Sequence, residues 1–232
     1  MAALDEGWAD PARLYREARR ARLLLDNARE VVASLLPARQ DEVVFTSSGT
    51  QALHLGVLGA LAGRRRAGDR LVTSAVEHSA VLQAAAWHVR GGGRHDVVGV
   101  SRTGVLVVAA LSTAVGAGGV GLVAVLSANH EVGTVQPLAE VAAVTASVEV
   151  PLLVDAAQSL GRMPVPDGWS LLAGSAHKWG GPAGVGVLAV RRRTRFRSVL
   201  PEDERGSGMV PGFETVPGAL AAAAALPARS AE

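Results

Sequence analysis

The chain has 232 residues, 49% of them hydrophobic but only 3% aromatic, and a formal net charge of +2. The absence of cysteine excludes disulfides, thiolate metal sites and a cysteine nucleophile within these residues, and no metal site is expected. So small a charge excess gives no electrostatic footprint for nucleic acid, while a core of Ala, Val and Leu at this length suits a layered α/β domain.

Asp10-Pro11 reads as a helix start, with Asp as N-cap and Pro at the first helical position. Leu14, Ala18, Ala21, Leu25, Ala28, Val32 and Leu35 then recur at helical spacing until Leu36-Pro37. A strand is predicted over 42–46, followed by Ser47-Ser48-Gly49-Thr50 and a helix over 51–62. Such a turn places backbone N–H groups and hydroxyls at a helix N-terminus, which serves as an anion site or as a plain Ser-rich cap. Taken alone, those four residues read as the plain cap. A short strand at 70–73 precedes a helix opened by Glu77-His78-Ser79-Ala80 and closed by Gly91-Gly92-Gly93. On its own, His78 reads as a cap or a half-buried ring.

A strand is expected over 96–100, a helix over 105–115 and a buried strand over 121–126. The apolar stretch 105–127 is broken by Gly116, Gly118, Gly119 and Gly121, so it is read as buried structure and not as a membrane span. Ser127-Ala128-Asn129-His130-Glu131-Val132-Gly133 follows at the carboxyl end of that strand, where open α/β sheets place their ligands. After a helix over 136–147, the strand 151–155 ends in Asp155, a carboxylate that is costly to bury unless paired. A small-residue turn with Gln158 comes next, then strands over 170–174 and 185–190, a loop over 201–216, and a helix from Ala219 that Pro227 should stop. Arg64-Arg65-Arg66 and Arg191-Arg192-Arg193 read as solvated ends of elements. The alternation predicts one domain over 1–232: a three-layer α/β fold with a mostly parallel central sheet and helices on both faces.

Lys178 is the only lysine in the chain, within Gly174-Ser175-Ala176-His177-Lys178-Trp179-Gly180-Gly181-Pro182. An amine can lose its proton and attack a carbonyl, whereas a guanidinium stays protonated. The collected pieces are those that pyridoxal 5'-phosphate needs. They are an anion turn at 47–50, a His at 78 to lie on a ring, and Asn129 and Gln158 to bond a phenolate. Asp155 would hold a pyridinium nitrogen, and Lys178 would form the Schiff base.

Five blocks carry a family resemblance: Phe45-Thr46-Ser47-Ser48-Gly49-Thr50, Glu77-His78, Asn129-His130-Glu131-Val132-Gly133, Val154-Asp155-Ala156-Ala157-Gln158-Ser159 and Gly174-Ser175-Ala176-His177-Lys178. In this order the chain resembles the class V aminotransferases of fold type I, within them the cysteine desulfurase and selenocysteine lyase group. The resemblance implies that Gly49 and Thr50 bind phosphate with Ser175 and His177, and that His78 stacks on the ring and assists proton transfer. It implies that Asn129 and Gln158 contact the ring oxygen, Asp155 the ring nitrogen, and that Lys178 is the catalytic amine. Thr215 resembles the family's threonine that reaches the partner subunit's phosphate. A homodimer is implied, with loop 201–216 at the interface, an amino acid as substrate and a protein as sulfur acceptor; the cytoplasm is expected because Met1 to Trp8 show no signal-peptide pattern.

The chain departs from the family pattern as well. The N-terminal Leu-Asp-Asn-Ala-Ala-type motif, the small C-terminal domain, its persulfide-forming cysteine and its substrate-binding arginine are not in these residues. Pro211-Gly212-Phe213-Glu214 stands where a basic residue is expected. The expectation is therefore the cofactor-binding large domain of a desulfurase-like enzyme, truncated at both ends and without its own catalytic cysteine. Two alternatives stay open: an inactive fragment or pseudoenzyme acting as a binding module, with exposed apolar surface, and a transaminase or selenocysteine lyase.

Overall fold

The computed structural model describes residues 5, 7–201, 208–212 and 214–231. Helix α1 (Arg16–Leu35) buries Ala18, Ala21, Leu25, Ala28 and Val32 on one stripe and turns Arg16, Arg19, Arg20 and Arg22 outward. It begins later than Asp10-Pro11 suggests. The Asp10 carboxylate accepts the Ala12 N–H at 2.9 Å, closing a local turn that ends before the helix starts.

Seven strands follow: β1 (Val43–Thr46), β2 (Arg70–Ser74), β3 (Arg94–Val98), β4 (Val120–Leu126), β5 (Leu152–Asp155), β6 (Leu171–Ser175) and β7 (Gly186–Val190). Between them lie α2 (Gly49–Arg64), α3 (Ser79–Arg90), α4 (Val108–Gly116) and α5 (Leu138–Ser147), and α6 (Val216–Ser230) closes the described chain. One sheet takes all seven strands in the order β1-β7-β6-β5-β4-β2-β3. Every pairing is parallel except those of β7, which runs against both β1 and β6. The architecture is the mostly parallel three-layer α/β fold expected.

Side-chain alternation divides the core between the two faces. Val43 and Phe45 point with Val123 and Val125 into the cluster under α1, α4, α5 and α6. Val44, Leu122 and Ala124 point into the other, under α2 and α3. All seven residues of β4 are buried, as a central parallel strand requires. Each fully buried Leu or Val contributes about 1.5–3 kcal/mol over exposure, so the sheet is a rigid platform for the loops at its carboxyl edge.

Helices α2 (Gly49–Arg64) and α5 (Leu138–Ser147) match the sequence reading to within two residues at each end, and α4 and α6 depart further. Helix α4 starts at Val108, because Val107 still donates to the Gly99 carbonyl at 3.1 Å and Leu106 donates to Gln136 Oε1 at 2.8 Å. Helix α6 continues through Pro227 to Ser230. Its buried residues Ala219, Ala222, Ala223 and Leu226 hold it against the body, and the exposed Pro227 faces solvent. Of the loop expected over 201–216, residues 202–207 and Phe213 lie outside the described residues. Trp8, Leu14 and Leu23 stand exposed near the chain start. Among the described residues no helix is long and apolar enough to cross a membrane, and no group of His, Cys, Asp and Glu could hold a metal.

Candidate active site

The loops after β1, β2, β4, β5 and β6 meet over the carboxyl edge of the sheet and enclose a cavity of about 320 Å³. Gly49, Thr50, His78, Asn129, Asp155 and Gln158 line it, together with Ser175, His177 and Lys178. Thr215 stands apart. Its hydroxyl accepts the Gly218 N–H at 3.4 Å as the N-cap of α6, and it borders a different cavity with Phe45, Ser47 and Gln51.

The turn after β1 contains the Ser-rich cap expected of it. Ser48 is the N-cap of α2, its hydroxyl accepting the Gln51 N–H at 3.0 Å. Ser47 is bound through its N–H to Gln51 Oε1 at 2.8 Å. The Ser47 hydroxyl also donates to Gln51 Oε1 at 3.1 Å, so the Ser48 O–H and the first-turn N–H groups of Gly49 and Thr50 remain as donors for an anion. This turn crosses over the start of β7, where a Cβ on Gly186 would collide with the Ser48 backbone. It then lands against β6, where a Cβ on Gly49 would lie 2.7 Å from Ser175 Cβ. Ser175 Oγ in turn sits 3.0 Å from His177 Nδ1.

Asp155 closes β5 and is 6% exposed. Its Oδ1 accepts the Ala157 N–H at 2.9 Å. Burial pushes this carboxyl above its ordinary range; the Ala157 hydrogen bond and the charges of His78, His130 and Lys178 pull the other way. His78, His130 and Lys178 are thus the groups whose charge favours the ionised form of this buried acid.

His78 is the N-cap of α3, and its Nδ1 accepts the Ala80 N–H at 3.1 Å. In the neutral ring the proton therefore sits on Nε2, which leaves His78 an N–H donor. Asn129 shapes its own loop: Oδ1 accepts the N–H groups of Glu131 at 2.8 Å and Val132 at 3.0 Å, while Nδ2 donates to the Val76 carbonyl at 2.8 Å. The second N–H of that amide is left over for a ligand acceptor.

Lys178 rides on a 3-10 turn (Ala176–Trp179) that ends at Gly180 with φ 89°. Its carbonyl accepts Arg162 at 2.7 Å, and the next residue, Trp179, is 1% exposed. The backbone is fixed on both sides, yet the amine itself has no hydrogen bond or salt bridge among the described residues. Sequence reading passed over Glu77, Ser79, His130 and Glu131, which also line the cavity. Each adjoins a residue already singled out, and that adjacency was the available signal. The rings of His78 and His130 lie 6.1 Å apart at 48°.

A family model described as "Aminotransferase class-V" matches residues 9–215. The chain is 38% identical over 200 residues to an IscS-like cysteine desulfurase of Mycobacterium tuberculosis, covering 83% of this chain and 51% of that protein. A solved NifS-like protein superposes with a TM-score of 0.92 at 28% identity, over 100% of this chain and 64% of its own. A structure of SspA in complex with cysteine gives 0.90 at 25% identity, over 97% and 66%. The chain spans about half the length of the curated relatives it matches.

Proposed function

The chain belongs to the class-V aminotransferase family, and on that footing we propose that it forms the pyridoxal-phosphate site of a cysteine desulfurase-like enzyme. The observation that carries this reading is the unpartnered Lys178 amine in the same cavity as the buried Asp155. The cavity volume lies at the lower end of the range of about 300–1,000 Å³ typical of small-molecule sites. The free N–H groups of Gly49 and Thr50, with Ser175 and His177 beside them, fit a phosphate. Asp155 fits a protonated ring nitrogen, and Asn129 and Gln158 fit the ring oxygen.

When bound, pyridoxal phosphate supplies an electron sink for charge that develops on an amino-acid carbon. The residues of this chain do the rest. Lys178 would hold the aldehyde end, and its amine is the base placed to take a Cα proton and return it. His78 offers its Nε2–H at the rim. Asp155 keeps a positive charge on its side of the cavity. Cysteine as the substrate is supported by the solved SspA complex with cysteine. The thiol that takes up sulfur has to come from outside these residues, which hold no cysteine. A homodimer and a protein sulfur acceptor complete the proposal, on the family resemblance.

The test is the visible spectrum of the chain with pyridoxal phosphate beside that of Lys178→Ala. The native chain gives a yellow band and the variant loses it. A covalent band that persists without Lys178 sinks the assignment.

A further inference from the structure

Glu77 is a buried carboxyl that this chemistry leaves unused. It precedes His78, is 7% exposed and lines the same cavity. Its Oε1 accepts the Ser74 hydroxyl and, at 3.1 Å, the Leu126 N–H. Its Oε2 is buried and has no hydrogen-bond partner among the described residues. An ionised carboxylate with a bare oxygen in such a place is costly, and a protonated acid costs far less.

The fold sets Glu77 beside Asp155. Leu126, whose N–H Glu77 holds, is the register partner of Asp155 across the β4–β5 ladder. Glu77, after β2, and Asp155, at the end of β5, thus flank the end of β4 from either side beneath one cavity, with unequal support. Around Asp155 stand the Ala157 N–H, His78 before α3, His130 after β4 and Lys178 after β6. Glu77 faces the Ser74 hydroxyl from β2, the Leu126 N–H from β4 and, from β5, the like charge of Asp155.

We infer that Glu77 is a positioning residue of this site: it keeps its proton, so the cavity floor presents one negative charge, on Asp155, to a single cationic group of a ligand. Burial pushes the Glu77 carboxyl up to about 8; the Asp155 charge adds to the push, and the Ser74 and Leu126 hydrogen bonds oppose it. The inference rests on the proposed function only for the identity of the cationic group, which there is the ring nitrogen.

The experiment follows the Glu77 side-chain carboxyl by carbon-13 NMR through a pH titration of the full chain without cofactor. Glu77→Gln assigns the signal, and Asp155→Asn removes the like charge. The native midpoint is expected near 8 and should fall in Asp155→Asn. A midpoint in the ordinary range of about 4.3, or one that Asp155→Asn leaves in place, overturns the inference. A second arm titrates pyridoxal phosphate by visible absorption. Glu77→Gln mimics the uncharged acid and keeps an acceptor for Ser74 and Leu126. Near neutral pH its affinity should stay within about threefold of native, and a loss of about tenfold there would show that the carboxylate is needed and overturn the inference. If the native chain takes up no pyridoxal phosphate while the carboxyl titrates as described, the cofactor reading fails and the charge assignment stands.

Discussion

Nε1 of Trp179 donates to the carbonyl of Ala222 at 3.0 Å, joining the residue after Lys178 to α6. The helix that ends the described chain thereby holds the turn that carries the amine. Trp179→Phe removes that bond and leaves part of the indole volume empty. We expect a loss of about 1–3 kcal/mol in urea unfolding and a weaker yellow band at limiting pyridoxal phosphate. Loss of stability with an unchanged band would show that α6 supports the fold without aiming Lys178.

The buried acid also sets a pH dependence of stability. The Glu77 carboxyl is raised to about 8 in the fold from an ordinary value of 4.5. Between those values the unfolded chain ionises this group and the folded chain does not, so stability falls as pH rises through that window and levels off above it. A shift of this size corresponds to several kcal/mol, on the order of 1.4 per unit. Glu77→Gln should flatten the decline of urea-unfolding free energy between neutral pH and the folded midpoint. An equally steep decline in the variant would assign the effect to another group.

At the anion end the controlling quantity is clearance. Gly49→Ala places a methyl 2.7 Å from Ser175 Cβ and 3.3 Å from the Gly174 carbonyl oxygen, so α2 must back away from β6. Affinity for pyridoxal phosphate should drop about tenfold, equivalent to about 1.4 kcal/mol, while affinity for pyridoxal, which lacks the phosphate, changes little. A parallel loss for both would place the damage in the sheet and not in the anion turn.

Glu214 ties three elements together away from the cavity. Its Oε1 accepts the Phe45 N–H of the edge strand β1 at 2.7 Å, and its Oε2 pairs with Arg29 of α1. Edge-strand donors need such cover. Glu214→Ala leaves the Phe45 N–H unpaired and strips a nearly buried guanidinium of one of its two carboxylates, the other being Asp26 at 2.8 Å, which should cost about 1–3 kcal/mol in urea unfolding. Glu214→Gln, which keeps the acceptor for Phe45, should recover part of that loss.

The sheet was legible in the sequence because central parallel strands are buried on both faces and read as apolar runs. Val120–Leu126 and Leu152–Asp155 are the clearest cases. The reversed direction of β7 left no comparable mark, since a buried strand has the same composition in either sense. Punctuation misled at both ends. Asp10 caps a local turn, and Pro227 is tolerated because packing of Leu226 outweighs one missing helical bond. At the site, residues with a recognisable chemistry, such as Lys178 and Asp155, stood out at once. Glu77 did not, because a glutamate in text reads as a solvated charge and only the fold shows its second oxygen walled in.

The reversed strand has one more consequence. Because β7 runs backward, its first residue lies at the cavity end, directly under the chain that links β1 to α2, and that residue is Gly186. The anion turn is two strands away from the lysine turn and reaches it by passing over this bare backbone. Gly186 and Gly49 thus act as two shims of zero thickness beneath one bridge. A larger residue at either would lift the bridge while leaving every backbone N–H donor in the chain, so the grip on a phosphate can be graded by thickness alone.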